Sequence, residues 1–105
     1  MIRFGEQRFS ATIAQGQGSA VAVTRAQNTR GLIIRTFVGA HNGSTRTSWM
    51  ITLNDGLGEV PVAATGPDAW WGDIDREILV PADTEVKVHA IAINTTVYLT
   101  YDWLP

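Results

Sequence analysis

Glycine, proline and Asn-Gly or Asp-Gly steps break this chain about every 8–12 residues, and the runs between them alternate in polarity with a period of two. Runs that short leave little room for a capped amphipathic helix, but they match strands with one face turned inward. Residue usage agrees. Thr (12), Val (9) and Ile (9) contribute 30 of the 105 residues, whereas Leu, Met, Glu, Lys and Gln together contribute 17. β-Branched side chains lose χ1 freedom in a helix and fit a pleated surface. The chain is therefore read as all-β, and residues 1–105 as a single domain large enough for one core.

Eight strands are expected. Arg8 to Gln15 carries Phe9, Ala11 and Ile13 on one face, and Gln15-Gly16-Gln17-Gly18-Ser19 ends it. That glycine pair is read as a turn, since no third glycine and no helical pattern follow to make a dinucleotide site. Ala20 to Arg25 is the second strand. Leu32 to Ala40 is the third, with Leu32, Ile34, Thr36 and Val38 on one face and Ile33, Arg35 and Phe37 on the other. His41-Asn42-Gly43-Ser44 is a hairpin signal leading into Arg46 to Leu53, where Trp49, Ile51 and Leu53 point inward. Asn54-Asp55-Gly56 turns into Leu57 to Ala63, so these three strands are expected to form a meander. Asp73 to Val80 is read as one further strand, and Glu85 to Ile93 with Val97 to Trp103 as a closing hairpin. The pattern predicts an antiparallel β-sandwich, jelly-roll-like, with a small closed barrel as the alternative.

Composition bounds the function classes. Without cysteine there is no disulfide, thiolate metal site or thiol nucleophile. No run approaches a membrane span, and Met1-Ile2-Arg3-Phe4-Gly5-Glu6 lacks the apolar region of a signal peptide, so a protein made in the cytoplasm and not secreted is expected. Eight basic and ten acidic residues give a net charge of −2, which argues against nucleic acid as a partner. Charged residues make up only 17%. A small domain with so little charge is read as presenting part of its surface to other protein in an assembly.

The supply of catalytic groups is thin. His41 and His89, four serines and ten carboxylates are present, with no nucleophile elbow, phosphate loop or zinc-binding helix motif. No catalytic residue, cofactor or metal is therefore assigned. His41 is read as an exposed turn residue and His89 as half-exposed in mid-strand. Asp73, Asp75 and Glu77 are expected to project from one strand face about 7 Å apart, either solvated or paired with arginines such as Arg35 or Arg46 of another subunit. Trp70-Trp71, between Gly66-Pro67 and Gly72, is weighed as core cover, as a protein-contact anchor and as a sugar-stacking platform. Trp49 is read as core, and Trp103 as a plug closing one end. The segment Met1 to Glu6, with Ile2 and Phe4 alternating, is read as a contact arm that adds a strand to a neighbour.

The segments Gly31-Leu32-Ile33-Ile34-Arg35-Thr36-Phe37-Val38, Ile78-Leu79-Val80-Pro81-Ala82-Asp83-Thr84-Glu85-Val86-Lys87-Val88 and Thr96-Val97-Tyr98-Leu99-Thr100-Tyr101 carry a resemblance over the whole chain. In style it resembles the accessory proteins of tailed-phage virions, of the capsid decoration or cement type. The resemblance implies a non-enzymatic virion protein that binds viral capsid protein and stabilises the head, commonly as a trimer. On the residues, Ile2, Phe4, Trp70, Trp71, Asp73, Asp75 and Glu77 are the expected partner contacts. A carbohydrate- or receptor-binding module using Trp70, Trp71 and the His41 loop is the alternative. A hydrolase would need His41 or His89 beside a serine or carboxylate in a cleft.

Overall fold

Among the described residues, nine strands build two antiparallel sheets. They are β1 (Gln7–Ile13), β2 (Ser19–Val23), β3 (Leu32–His41), β4 (Trp49–Asn54), β5 (Glu59–Ala64), β6 (Trp71–Asp73), β7 (Ile78–Val80), β8 (Glu85–Ala90) and β9 (Thr95–Trp103). The structure is a computed structural model that describes residues 4–13, 18–41, 48–64, 71–74, 76–90 and 95–105, with the backbone alone described at His41, Trp71 and Gly72. Among these residues no helix is long and apolar enough to cross a membrane.

One sheet runs β1-β9-β3-β6, with β7 also paired to β3, and the other runs β2-β8-β4-β5. Apart from β4 to β5 and β6 to β7, each strand passes to the opposite sheet, which makes the domain the expected all-β sandwich of two antiparallel sheets. Two expected connections are corrected by this order. β3 and β4 lie in different sheets, so only β4 and β5 survive of the meander, and β8 and β9 likewise form no hairpin. Asn-Gly and Asn-Thr steps favour reversal of the chain, but local turn chemistry does not decide which sheet the next strand joins. The expected strand from Asp73 to Val80 is also two short pieces, β6 and β7, both paired with β3.

Inward side chains of both sheets fill the core. Ile13, Val23, Leu32, Ile34, Phe37, Trp49, Ile51, Val80, Val86, Val88, Val97 and Leu99 are all at most 1% exposed. Trp49 reaches from β4 across to the other sheet. Its Nε1–H donates to Thr95 Oγ1 at 2.9 Å, and the Thr95 hydroxyl donates to the Ala40 carbonyl at 3.0 Å. Trp49 is thus core, as expected, while Trp103 is half-buried, packs on the core and meets Tyr101 edge to face.

One end of the sandwich is closed by a buried asparagine. Asn28 Nδ2 donates to the carbonyls of Pro81 at 2.8 Å and Thr84 at 3.0 Å, and its Oδ1 accepts from Gly31 N–H at 2.9 Å. Arg25 adds an ion pair to Asp83 at 2.9 Å beside it. At the other end gather the strand ends Ile13, Ser19, His41, Trp49, Ala64, Trp71, Ala90 and Thr95.

Candidate interaction surface

A one-residue irregularity in β3 sets what the outer face of the β1-β9-β3 layer displays. Ile34 stands opposite Tyr101 and Thr36 opposite Thr100, which leaves Arg35 as an extra residue. An inserted residue reverses the alternation beyond it. Leu32, Ile34 and Phe37 are consequently buried together, whereas Thr36 and Val38 face outward. The expected face assignment, which grouped Thr36 and Val38 with Leu32 and Ile34, is corrected beyond the bulge.

Arg35 is held where it stands by two carboxylates. Its Nε donates to Asp102 Oδ2 at 2.9 Å and its Nη1 to Glu77 Oε2 at 2.6 Å. These bonds, Asp102's first and Glu77's second, raise the guanidinium's affinity for its proton. Arg35 thereby fastens β9 to the segment that precedes β7.

Across the same face, Ser10, Tyr98, Val38 and Asp73 occupy one row of paired positions, and Arg8, Thr100 and Thr36 the next. The Thr36 and Thr100 hydroxyls are 2.6 Å apart. Residues 4–6 lie on this face too. Gly5 N–H donates to Thr100 Oγ1 at 2.9 Å and Glu6 N–H to Asp102 Oδ1 at 2.7 Å. Only glycine allows that approach, since a Cβ at position 5 would stand 2.6 Å from the Tyr101 backbone. Phe4 is 71% exposed, with the Arg8 guanidinium carbon 5.9 Å from the ring centroid. Tyr98 and Val38 are 51% and 42% exposed. Phe4, Arg8, Ser10, Thr36, Val38 and Tyr98 line a depression of about 300 Å³.

Of the residues expected to make partner contacts, Phe4 belongs to this surface, and exposed Asp73 lies opposite Val38 at its margin. Trp71 opens β6 opposite Ala40. Ile2, Trp70 and Asp75 lie outside the described residues, as does Arg46. Glu77 follows β6 and precedes β7, so no single strand face carries it with Asp73, and its arginine partner, Arg35, belongs to the same chain. The sequence reading did not single out Tyr98 or Val38. Tyr98 was legible, because it alternates with the inward Val97 and Leu99, but the bulge hid Val38.

A second polar cluster occupies the outer face of the other sheet. Thr52 Oγ1 donates to Glu59 Oε1 at 3.1 Å, His89 Nε2 lies 3.0 Å from Thr52 Oγ1 and 3.2 Å from Glu59 Oε1, and Lys87 Nζ lies 3.4 Å from Glu59 Oε1. The Thr52 hydroxyl above all, helped by His89 and Lys87 and opposed by partial desolvation, holds the Glu59 carboxyl below its ordinary value of 4.5. Both His89 contacts fall on Nε2. The ring is therefore not strung between a base and a nucleophile, as a proton relay requires. Among the described residues no three of His, Asp and Glu gather as a metal site.

No family model matches the chain, and no curated protein matches it in sequence. Solved structures do match. The NLP core of Drosophila, described in terms of pentamer formation and histone binding, superposes with a TM-score of 0.54 at 12% identity, covering 93% of this chain and 96% of that one. A pentameric capsid protein isolated from metagenomic phage sequences gives a TM-score of 0.54 at 12% identity and covers 91% of this chain. This chain spans 59% of that capsid protein's length. The likeness is one of fold.

Proposed function

We propose that this chain is a non-enzymatic structural component of a phage virion, a decoration or cement protein that acts as a homo-oligomer and stabilises the head by bridging shell subunits. The observation that carries this reading is the outer face of the β1-β9-β3 layer. Phe4, Val38 and Tyr98 stand exposed there among Ser and Thr hydroxyls, with Arg8 and Asp73 beside them and the Arg35, Asp102 and Glu77 charges paired with one another. A surface of that kind gains by being covered, and many identical copies on a lattice multiply a modest contact through avidity. The fold shared with a phage capsid protein supports the virion setting. Both neighbours named above are pentamers, which supports a fivefold ring rather than the trimer that the resemblance implies.

The test is co-sedimentation with heads assembled from the capsid protein proposed as the partner of this chain. The chain carrying Phe4→Ser, Val38→Ser and Tyr98→Ser together should lose head binding while remaining folded. Unchanged binding of that variant would overturn the assignment of this face.

A further inference from the structure

A sheet edge that exposes unpaired backbone groups invites another strand, and folded proteins usually blunt such edges. Three of the four edges here are blunted. β2 carries a register shift between Val21 and Val23. β5 holds Pro61 and a register shift of its own. β6 and β7 are interrupted pieces of three residues each. β1 has none of these devices. Its seven residues pair with β9 without interruption, from Gln7 opposite Tyr101 to Ile13 opposite Thr95, and they include no proline, no glycine and one charge, Arg8. Its inward side chains report the same openness. Phe9 and Ala11 stay half-exposed, whereas Leu99 and Val97 opposite them are buried. Gly5 and Glu6, the residues just ahead of β1, bond to Thr100 and Asp102 on the far side of β1 from this edge.

We propose that β1 is the strand-pairing edge of this protein and that its occupant is β1 of a second copy, laid antiparallel so that the sheets of the two copies become one. The occupant follows by comparison of the edges, since among the described residues of this chain β1 alone offers an edge without proline, register shift or interruption. The sequence of β1 suits self-pairing. Centred on Ser10, all seven residues are used, Phe9 faces Ala11 so that large meets small, and Arg8 faces Thr12 so that no like charges are opposed. The contact is two-fold, so it joins copies in pairs or joins two rings face to face. The inference rests on the homo-oligomeric part of the reading above and not on what the assembly binds.

The absence of cysteine makes the test clean. Opposed strand residues lie within disulfide reach. A Ser10→Cys chain should therefore oxidise to a covalent dimer much faster than a Leu57→Cys chain, whose site is 93% exposed but far from the edge. Exposed Ser10 also accepts charge without disturbing the fold, which circular dichroism verifies. Ser10→Lys and Ser10→Glu should each weaken self-association about threefold to fivefold in sedimentation, and mixing the two should restore it. A wild-type chain that stays monomeric across the concentration series overturns the pairing. So does a Ser10→Cys chain that oxidises no faster than the Leu57→Cys chain. Head binding is read separately, and a dimer that forms but ignores heads sinks the shell reading alone.

Discussion

The indole of Trp49 lies directly on Gly39. A Cβ built at Gly39 would stand 2.5 Å from Trp49 Cε2, so the missing side chain of β3 is the space that the β4 tryptophan fills. Gly39→Ala should therefore destabilise the fold by about 1–3 kcal/mol, the usual range for overpacking a closed core. Urea unfolding with an unchanged m-value would register it, and a shift below about 0.5 kcal/mol would mean that the two sheets part easily at this point.

Asn28 is buried, and its amide serves three backbone groups in two different connections. Removing it strands two carbonyls and one N–H. Asn28→Ala should lower stability by roughly 3 kcal/mol. Asn28→Asp should be worse at neutral pH, because a carboxylate then faces two carbonyl oxygens. Thermal unfolding of the three proteins side by side decides the order.

Glu59 supplies a pH signature. Its folded-state carboxyl titrates below the ordinary 4.5, so the stability it adds is present above that value and is lost as the pH falls through the lower, folded one. Glu59→Gln should therefore be less stable than the wild type at pH 7, with the gap closing as the pH falls below the ordinary 4.5 and through the lower, folded value. A gap independent of pH would show that Thr52, His89 and Lys87 do not act through the charge.

The exposed trio on the outer face should behave in the opposite way to the core. Phe4→Ser, Val38→Ser and Tyr98→Ser each alter surface atoms and should move stability by no more than about 0.5 kcal/mol. Any effect should appear in assembly or head binding alone. A large loss of stability from Tyr98→Ser would place that ring in the fold rather than at a contact.

Period-two alternation and turn spacing made the all-β sandwich legible, and Trp49, Ile51, Val97 and Leu99 fell where alternation put them. Alternation fails at the Arg35 bulge, because one extra residue is invisible to a period count, and there the reading put Val38 on the wrong face. It also fails across connections. The Asn42-Gly43 step favours reversal, but β4 pairs with β5 and β8 and not with β3, a choice made by long-range packing that no local signal encodes. The polar run Ala26 to Gly31 carries no alternation that marks it out, yet it holds the asparagine that closes one end of the sandwich. Of the expected contacts, Phe4 was readable as an unburied aromatic outside any strand. The carboxylate row was not, because Glu77 answers to Arg35, which is 42 residues away.

The hydrogen bonds from Gly5 and Glu6 to Thr100 and Asp102 also decide how this molecule should be handled. They hold residues 4–6 on the very surface that Phe4 and Tyr98 share, so an affinity tag or fluorophore fused upstream would be tethered beside that surface and would shade it. Attachment after Pro105, exposed and next to a Leu104 whose N–H is tied to the Gly31 carbonyl, leaves that surface clear for pull-down and imaging work.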